Sequence, residues 1–362
     1  MRFKLLIVED DSEFLENLII ILKYKMSEKA FKLFDIVTAK SLEETHDKIK
    51  NCYYIGCSLD QSIPKGTDKH TIDYGVETSK IIARGNIFIS SIIYTNYMYE
   101  IDFVSILGMS KETFFNKNKT EAKEWAEILL NNTQKYIDEG IFKEACKYLP
   151  LSLVHSLEKY QDIKESGDDV LINSTMIHFF ELDLKMIYGS VLATLEEEHK
   201  ATWVNAKMIE KLQIVARNLD SYGKLDTIQK TQLKKLLNQG FFDSLDALRQ
   251  FRNRHAHVLN DEVEPSRNVY LHFVNLVLHN AYFYTNPFIY IKKTRMVNNQ
   301  LDIDAKRVIG QGENFDFKQK HNPFVDEGKL YQIFDRNTSS IKCVDRYFEK
   351  DNTQKSLTIK VK

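Results

Sequence analysis

The stretch Lys4-Leu5-Leu6-Ile7-Val8-Glu9-Asp10-Asp11 decides the fold of the first third of the chain. Its short aliphatic run is typical of a strand buried on both faces of a sheet, and the acids mark the end of that strand. A segment with helical spacing of apolar residues, Phe14–Tyr24, follows directly. Four further strands are predicted at Leu33–Thr38, Tyr53–Leu59, Ile87–Tyr94 and Thr113–Phe115. Strands that alternate with helices predict a doubly wound α/β fold with a parallel five-stranded sheet.

Charged and hydroxyl side chains lie at the carboxyl ends of these predicted strands. The residues in question are Glu9 and Asp10 after the first strand, Asp60 after the third, Thr95 after the fourth and Lys117 after the fifth. Ligands bind at this edge of a doubly wound sheet, so we expect the side chains to converge there. Clustered carboxylates suit Mg²⁺, and a metal ion neutralises charge so that one carboxylate can attack a phosphoryl group. Taken singly, the same acids are also typical of solvated strand ends and helix caps.

Four motifs carry a resemblance to a known family. They are Ile7-Val8-Glu9-Asp10-Asp11, Leu59-Asp60-Gln61-Ser62-Ile63-Pro64, Ile92-Ile93-Tyr94-Thr95 and Phe114-Phe115-Asn116-Lys117. Together they resemble the motifs of response-regulator receiver domains, which have a flavodoxin-like fold, and the resemblance covers residues 1–132. It implies that Asp60 is the phosphoacceptor and that Glu9, Asp10 and Asp60 bind Mg²⁺. It further implies that Thr95 is the switch hydroxyl, that Lys117 pairs with the phosphate, and that a histidine kinase or another phosphodonor is the partner.

The rest of the chain has a different pattern. Apolar residues with helical periodicity dominate residues 133–286, which predicts an all-α bundle. Within it, Val170–Tyr188 and Ser190–Glu197 are predicted as two separate helices. Residues 287–362 contain short β-like segments and predict a small β-rich C-terminal extension. We therefore expect three domains, namely 1–132, 133–286 and 287–362.

One motif stands out in the helical part, Leu248-Arg249-Gln250-Phe251-Arg252-Asn253-Arg254-His255-Ala256-His257. Histidine can move a proton to or from a ribose hydroxyl near neutral pH, and the arginine fork holds a phosphate, so Arg252 and His257 could cleave RNA without a metal. Five residues apart, they differ by roughly 140° around a helix. A symmetric pair of such helices in a homodimer would bring them to one phosphate more easily.

This motif resembles the R-x4–6-H signature of HEPN domains. Those domains are all-α and usually dimeric, and many are metal-independent endoribonucleases in prokaryotic toxin and phage-defence systems. The resemblance implies that Arg252 and His257 are the catalytic pair and that Asn253 supports them. A second frame, Arg249 with His255, also has the right spacing. Two alternatives to catalysis stay open. Cationic side chains are common at helix C-termini because they interact favourably with the helix dipole, and some HEPN domains are binding or scaffold modules without nuclease activity.

An acidic segment upstream bears on the same motif. In Phe180-Glu181-Leu182-Asp183, a carboxylate could lie near the arginine and histidine. The interpretation we favour from sequence is that Glu181 and Asp183 form a solvated helix face.

Composition excludes some classes of protein. The chain has 50 basic and 51 acidic residues, and no helix-turn-helix pattern, so sequence-specific DNA binding is not expected. Its four cysteines have no zinc-ligand spacing, and no stretch of about 18 apolar residues predicts a membrane span. A cytoplasmic location is the expectation.

Two functions remain open from sequence. In the first, a two-component receiver phosphorylated at Asp60 controls a HEPN-type ribonuclease that acts on RNA in prokaryotic stress or phage defence. In the second, the chain is a non-catalytic signalling or assembly module that acts through protein contacts. A transcriptional response regulator is disfavoured, because no DNA-reading helix pair is evident.

Overall fold

The computed structural model divides the chain into two compact units, Met1–Ile141 and Phe142–Lys362. It describes residues 1–28, 33–66, 74–85, 88–96, 114–197, 204–257, 267–297, 300–307, 314–319, 325–335, 340–344, 348–351 and 358–361. Ile87 and Thr113, the first residues of two predicted strands, lie outside these ranges.

A parallel sheet forms the centre of the first unit. Its strands are β1 (Phe3–Val8), β2 (Phe34–Ala39), β3 (Gly56–Leu59), β4 (Ser90–Thr95) and β5 (Phe114–Asn116). In the described part of the chain they pair in the order β2-β1-β3-β4-β5, and every pairing is parallel. This is the flavodoxin-like strand order, so the predicted fold class of the first unit is confirmed.

Helices flank this sheet. They are α1 (Ser12–Glu28), α2 (Leu42–Asn51), α3 (Gly75–Gly85) and α4 (Ala122–Lys135), and a π-helical turn over Tyr136–Gly140 follows α4. Two of them begin at capping side chains. Asp11 Oδ1 accepts hydrogen bonds from the backbone N–H groups of Glu13 and Phe14, and Ser41 accepts one from Glu44. These caps satisfy first-turn N–H groups that have no partner inside the helix.

The core of the first unit consists of the strand residues that the sequence pattern predicts. Leu6, Val8 and Leu59 are at most 2% exposed and belong to one apolar cluster with residues of α2 and α3. Trp125 of α4 is fully buried, and its Nε1 donates a 2.9 Å hydrogen bond to Ser58 Oγ in β3. Because the indole N–H is satisfied inside the core, it carries no desolvation penalty there.

Helices make up most of the second unit. They are α5 (Ile141–Tyr148), α6 (Leu151–Ser166), α7 (Asp169–Leu195), α8 (Asn205–Asn218), α9 (Thr227–Leu236), α10 (Gln239–His257), α11 (Arg267–His279) and α12 (Ala281–Thr285). The predicted break at Gly189 is wrong, since α7 runs through it for 27 residues. Glycine costs about 1 kcal/mol inside a helix, and the burial of residues 187–195 outweighs that cost.

An antiparallel sheet follows the helices in the second unit. Its strands are β6 (Phe288–Val297), β7 (Gln300–Arg307), β8 (Asn314–Gln319), β9 (Leu330–Asp335) and β10 (Ser340–Cys343), and β11 (Phe348–Asp351) pairs with β12 (Thr358–Val361). The described strands of the larger sheet follow the order β10-β9-β6-β7-β8. Buried Gln332 of β9 accepts a 2.6 Å hydrogen bond from Ser190 of α7 and donates to the Asn286 carbonyl. The predicted small β-rich C-terminal part is confirmed.

Among the helices of the described ranges, none has the length and apolar character needed to cross a membrane.

Candidate functional site

The sheet ladder itself carries two acids to the rim of the first unit. The backbone N–H of Glu9 donates to the carbonyl of Ala39 at 3.0 Å, and that of Asp60 donates to the carbonyl of Val8 at 2.9 Å. The pairing therefore extends one residue past β1 and β3. Both side chains consequently leave the sheet at the same carboxyl-terminal edge, as the strand pattern predicts.

Lys117 pairs with both acids at this edge. Its Nζ lies 2.7 Å from Glu9 Oε2 and 2.6 Å from Asp60 Oδ2. The three side chains are 11%, 3% and 5% exposed, respectively, so these charge-assisted hydrogen bonds are largely shielded from water. Nζ also lies 4.7 Å from the ring centre of Phe14, a cation–π contact. The site thus holds one buried cation between two buried carboxylates.

Glu9, Asp10 and Asp60 form a compact acidic group. Each offers one carboxylate oxygen, and these oxygens all lie within 4.8 Å of one another. Burial and the Asp60 charge raise the pKa of Glu9 from 4.5 to about 7, although Lys117 opposes the change. Burial and Asp60 also raise the pKa of Asp10. The group has excess negative charge and only hard oxygen donors, which is the donor set that Mg²⁺ takes in proteins.

Two other rim residues have distinct positions. Asp11 is exposed and its carboxylate caps α1, so it stands apart from the acidic group. Thr95 is fully buried at the end of β4, and its carbonyl accepts a 3.1 Å hydrogen bond from the backbone N–H of Lys117. This bond fixes the threonine and the lysine side by side on neighbouring chain segments.

An aromatic stack beside the rim was missed from sequence. The Tyr94 ring stacks between Phe14 and Trp125, with ring centres 6.1 and 5.7 Å away. Tyr94 Oη donates a 2.9 Å hydrogen bond to the carbonyl of Thr120. Because Phe14 also contacts Lys117, the stack connects the charged rim to the α4 core. The only sequence signal was an aromatic residue next to Thr95.

In the second unit, Arg252 of α10 contacts an acid of α7. Its Nε donates a 3.1 Å hydrogen bond to Glu181 Oε1, and its Nη1 lies 3.4 Å from Asn253 Oδ1. Asn205, the first residue of α8, donates to the same Glu181 oxygen at 3.3 Å. Glu181 Oε1 of α7 therefore accepts hydrogen bonds from both α10 and α8.

The interpretation of the acidic segment as a solvated face is wrong. Asp183 is completely buried, and burial raises the pKa of its carboxyl well above the ordinary value. Glu181 is 31% exposed and paired with Arg252. The two acids lie two residues apart and so point to different sides of α7, one into the core and one towards α10.

A pocket of about 410 Å³ opens between α7, the start of α8 and α10. Arg252, Asn253 and Glu181 line it, together with Lys185 and Arg249. His257 is the last residue of α10, and its side chain lies outside the part of the chain that the structure describes. In the second frame, Arg249 pairs with Asp246 at 3.3 Å and the His255 ring stacks on Phe251.

Comparison with known proteins finds no matching protein family and no matching curated protein. Solved structures do match part of the chain. A CheY-like response regulator receiver domain protein from Methanospirillum hungatei JF-1 is 18% identical over 38% of this chain and 99% of that one, with a TM-score of 0.32. The signal receiver domain of a putative LuxO repressor protein from Vibrio parahaemolyticus is 20% identical over 39% and 97%, with a TM-score of 0.29. A Burkholderia pseudomallei response regulator protein, with a phosphorylated aspartic acid, calcium ion and citrate, is 12% identical over 45% and 86%, with a TM-score of 0.27.

Proposed function

We propose that the chain is a response-regulator-like protein in which Asp60 accepts a phosphoryl group and the second unit is a metal-independent endoribonuclease of HEPN type. One observation carries the first part of the proposal. Asp60, at the end of a buried parallel strand, lies 2.6 Å from Lys117 Nζ inside a group of three carboxylates. A nucleophile, a buried cation and a metal-ligand set are thus together at one sheet edge.

The chemistry of phosphoryl transfer at this site follows from its charges. An Asp60 oxygen attacks the phosphorus of a phosphohistidine, the phosphorus–nitrogen bond breaks, and the imidazole takes up a proton. Glu9, Asp10 and Asp60 would hold Mg²⁺, which supplies positive charge for the incoming phosphoryl oxygens. Lys117 supplies a second cation, and the buried hydroxyl of Thr95 supplies a hydrogen bond.

Phosphorylation is tested by incubating the full chain with acetyl phosphate and Mg²⁺ and measuring the intact mass. We expect one added phosphoryl group, lost in alkali as an acyl phosphate is, and no addition to Asp60→Asn. Asp47→Asn is the matched control, because Asp47 is an exposed aspartate of α2. Equal labelling of Asp60→Asn and the unchanged protein would contradict the assignment.

Arg252, Asn253 and His257 are the proposed ribonuclease residues. Glu181 holds the Arg252 guanidinium through Nε, which leaves its outer edge available to a phosphate in the pocket. His257, placed by the sequence motif, takes the proton of a ribose 2′-hydroxyl as that oxygen attacks the adjacent phosphorus. The bond to the 5′-oxygen breaks and that oxygen takes a proton from water, while His257 returns its proton to the solvent, which gives a cyclic phosphate and a new 5′-hydroxyl. No metal takes part in this step.

Cleavage is tested with purified full chain and total cellular RNA in the presence of EDTA. We expect cleavage by the unchanged protein and a loss of at least about 100-fold in each variant, because His257→Ala removes an acid–base group and Arg252→Ala removes a group that stabilises charge in the transition state. Arg217→Ala is the control, since Arg217 is exposed on α8 and does not line the pocket. Cleavage that persists in both Arg252→Ala and His257→Ala rules out these residues as catalysts.

Control of cleavage by phosphorylation completes the proposal. The phosphorylated state must interact differently with active and inactive arrangements of a homodimer of the helical part. Cleavage rates of the phosphorylated protein and of Asp60→Asn should therefore differ under the same conditions, and light scattering should report a dimer. Identical rates would show that phosphorylation at Asp60 does not control cleavage. An absence of cleavage in both states, together with oligomerisation that increases with protein concentration, would instead support the non-catalytic alternative that acts through protein contacts.

A further inference from the structure

We infer that the pocket of the second unit binds the phosphodiester backbone of single-stranded RNA at more than one phosphate, with Lys185 and Arg249 contacting phosphates beside the one held by Arg252. The inference deepens the proposed ribonuclease function and rests on it for the identity of the ligand. Neither Lys185 nor Arg249 belongs to the Arg252, Asn253 and His257 set.

Two helix faces build the pocket. Glu181 and Lys185 are four residues apart on α7, and Arg249 and Arg252 are three apart on α10, so each pair lies on one face of its helix. The two faces line the same cavity, and α8 begins at its rim with Val204 and Asn205. Cations therefore come from two helices rather than from one solvated stripe.

The charges of the pocket favour an anion. Among the lining residues that the structure describes, Lys185, Arg249 and Arg252 are cationic and Glu181 is the single acid. Formal charge at the pocket is therefore positive by two, in a chain whose net charge is −1. An electropositive concavity in a nearly neutral protein concentrates anionic ligands.

These cations keep hydrogen-bond donors for a ligand. Lys185 forms no ion pair with any other residue in the described ranges. The bond from Arg249 to Asp246 is a partly exposed 3.3 Å contact within one helix, of a kind that contributes little stability. Arg252 uses Nε for Glu181 and has a long 3.4 Å contact from Nη1. Its outer edge can therefore bind two phosphate oxygens at once.

The start of α8 adds to the positive electrostatic potential of the pocket. Val204 occupies the N-cap position, and its side chain has no oxygen to accept from the first-turn N–H groups. The helix is 14 residues long, so its positive end stands at the rim without a side-chain cap. This end reinforces the three cationic side chains and does not define the site by itself.

The lining favours a phosphate chain over a nucleotide base. The volume of about 410 Å³ falls within the roughly 300–1,000 Å³ of small-ligand sites. Sites for a base add aromatic faces for stacking, and no aromatic residue lines this pocket in the described part of the chain. Cations spread over two helices match the successive phosphates of one RNA strand, each of which offers two oxygens to an arginine fork.

The test measures RNA binding without turnover. Full-length His257→Ala protein is titrated into a labelled single-stranded RNA, and anisotropy gives Kd at several salt concentrations. We expect Lys185→Ala and Arg249→Ala, added singly to this background, to weaken binding and to reduce the slope of log Kd against log salt by about 0.7 each, the value for one phosphate contact on a single strand. Arg217→Ala in the same background should leave the slope unchanged.

Each result has a consequence. Unchanged slopes in both variants, with RNA still bound, overturn the inference and leave the ribonuclease proposal intact. Competition by polyglutamate as strong as that by unlabelled RNA also overturns it, as does an absence of RNA binding. Reduced slopes without cleavage by the His257-containing protein sustain the inference and overturn the proposed function. Lys185→Gln and Arg249→Gln, which keep a polar stem, replace any alanine variant whose circular dichroism departs from that of the parent.

Discussion

Replacing Glu9 with glutamine will stabilise the metal-free first unit above neutral pH and leave its stability unchanged in acid. Glu9 is 3% exposed, and burial together with the Asp60 charge raises its pKa from 4.5 to about 7. A carboxyl whose pKa is higher in the folded state binds its proton more tightly there. Its contribution to stability is therefore complete below pH 4.5 and is lost as the pH rises through 7.

The size of this effect follows from the difference between the two pKa values. At roughly 1.4 kcal/mol per pKa unit, a rise from 4.5 to about 7 corresponds to about 3 kcal/mol of lost stability at high pH. Glutamine resembles the neutral acid in shape and never ionises. The free energy of unfolding of Glu9→Gln should thus equal that of the unchanged protein near pH 4.5 and exceed it by about 3 kcal/mol at pH 8.

Urea unfolding of the full chain in EDTA measures this difference. The chain has two tryptophans, and Trp203→Phe in every protein leaves Trp125 of the first unit as the reporter. Glu16→Gln is the matched control, because Glu16 is exposed on α1, and its effect should stay within about 0.5 kcal/mol at every pH. A difference between Glu9→Gln and the unchanged protein that does not vary with pH would refute the reasoning. Adding Mg²⁺ at pH 8 should stabilise the unchanged protein more than Glu9→Gln.

Three further substitutions each test a contact that lies inside one of the two units. Ser58→Ala leaves the buried indole N–H of Trp125 without its 2.9 Å acceptor and should cost about 1–3 kcal/mol, seen as a lower urea midpoint with an altered Trp125 emission. Gly75→Ala places a Cβ about 2.5 Å from the carbonyl oxygen of Gln61 and should destabilise the first unit by roughly 1–3 kcal/mol, whereas a change below 0.5 kcal/mol would show that the backbone yields there. Asn238→Ala removes the oxygen that accepts from the first turn of α10 at 3.0 Å and the Nδ2 that donates to the Lys235 carbonyl at 2.8 Å, and it should cost about 1–2 kcal/mol in thermal unfolding followed by circular dichroism, whereas a change below 0.5 kcal/mol would show that the cap contributes little.

Much of the first unit could be predicted because its signals are local. Aliphatic runs of strand length, separated by helical periodicity, indicate a parallel sheet, and the ends of such strands must share one edge. The positions of Glu9, Asp60 and Lys117 at that edge follow from the strand ends alone. Helix starts such as Ser41 are local as well, since a cap acts within three residues of itself.

Contacts between distant segments could not be predicted in the same way. The Glu181–Arg252 pair joins residues 71 apart in the chain, and the Tyr94 stack joins α1, β4 and α4. The continuity of α7 through Gly189 likewise depends on what packs against residues 187–195. Periodicity shows which face of a helix is buried, but it carries no information about which neighbour covers that face.

The amino-acid sequence by itself determined the alternation of strands and helices in the first unit, the acids at the strand ends and the helical character of residues 133–286. Only the tertiary structure decided that Lys117 lies between Glu9 and Asp60 and that Asp183 is buried. It also decided that Glu181 pairs with Arg252 and that Lys185 and Arg249 line the same pocket as that pair. The physical reason is that propensities and capping act over a few residues, whereas an ion pair or a pocket requires side chains to approach from separate elements, and that approach is set by how whole helices and sheets pack.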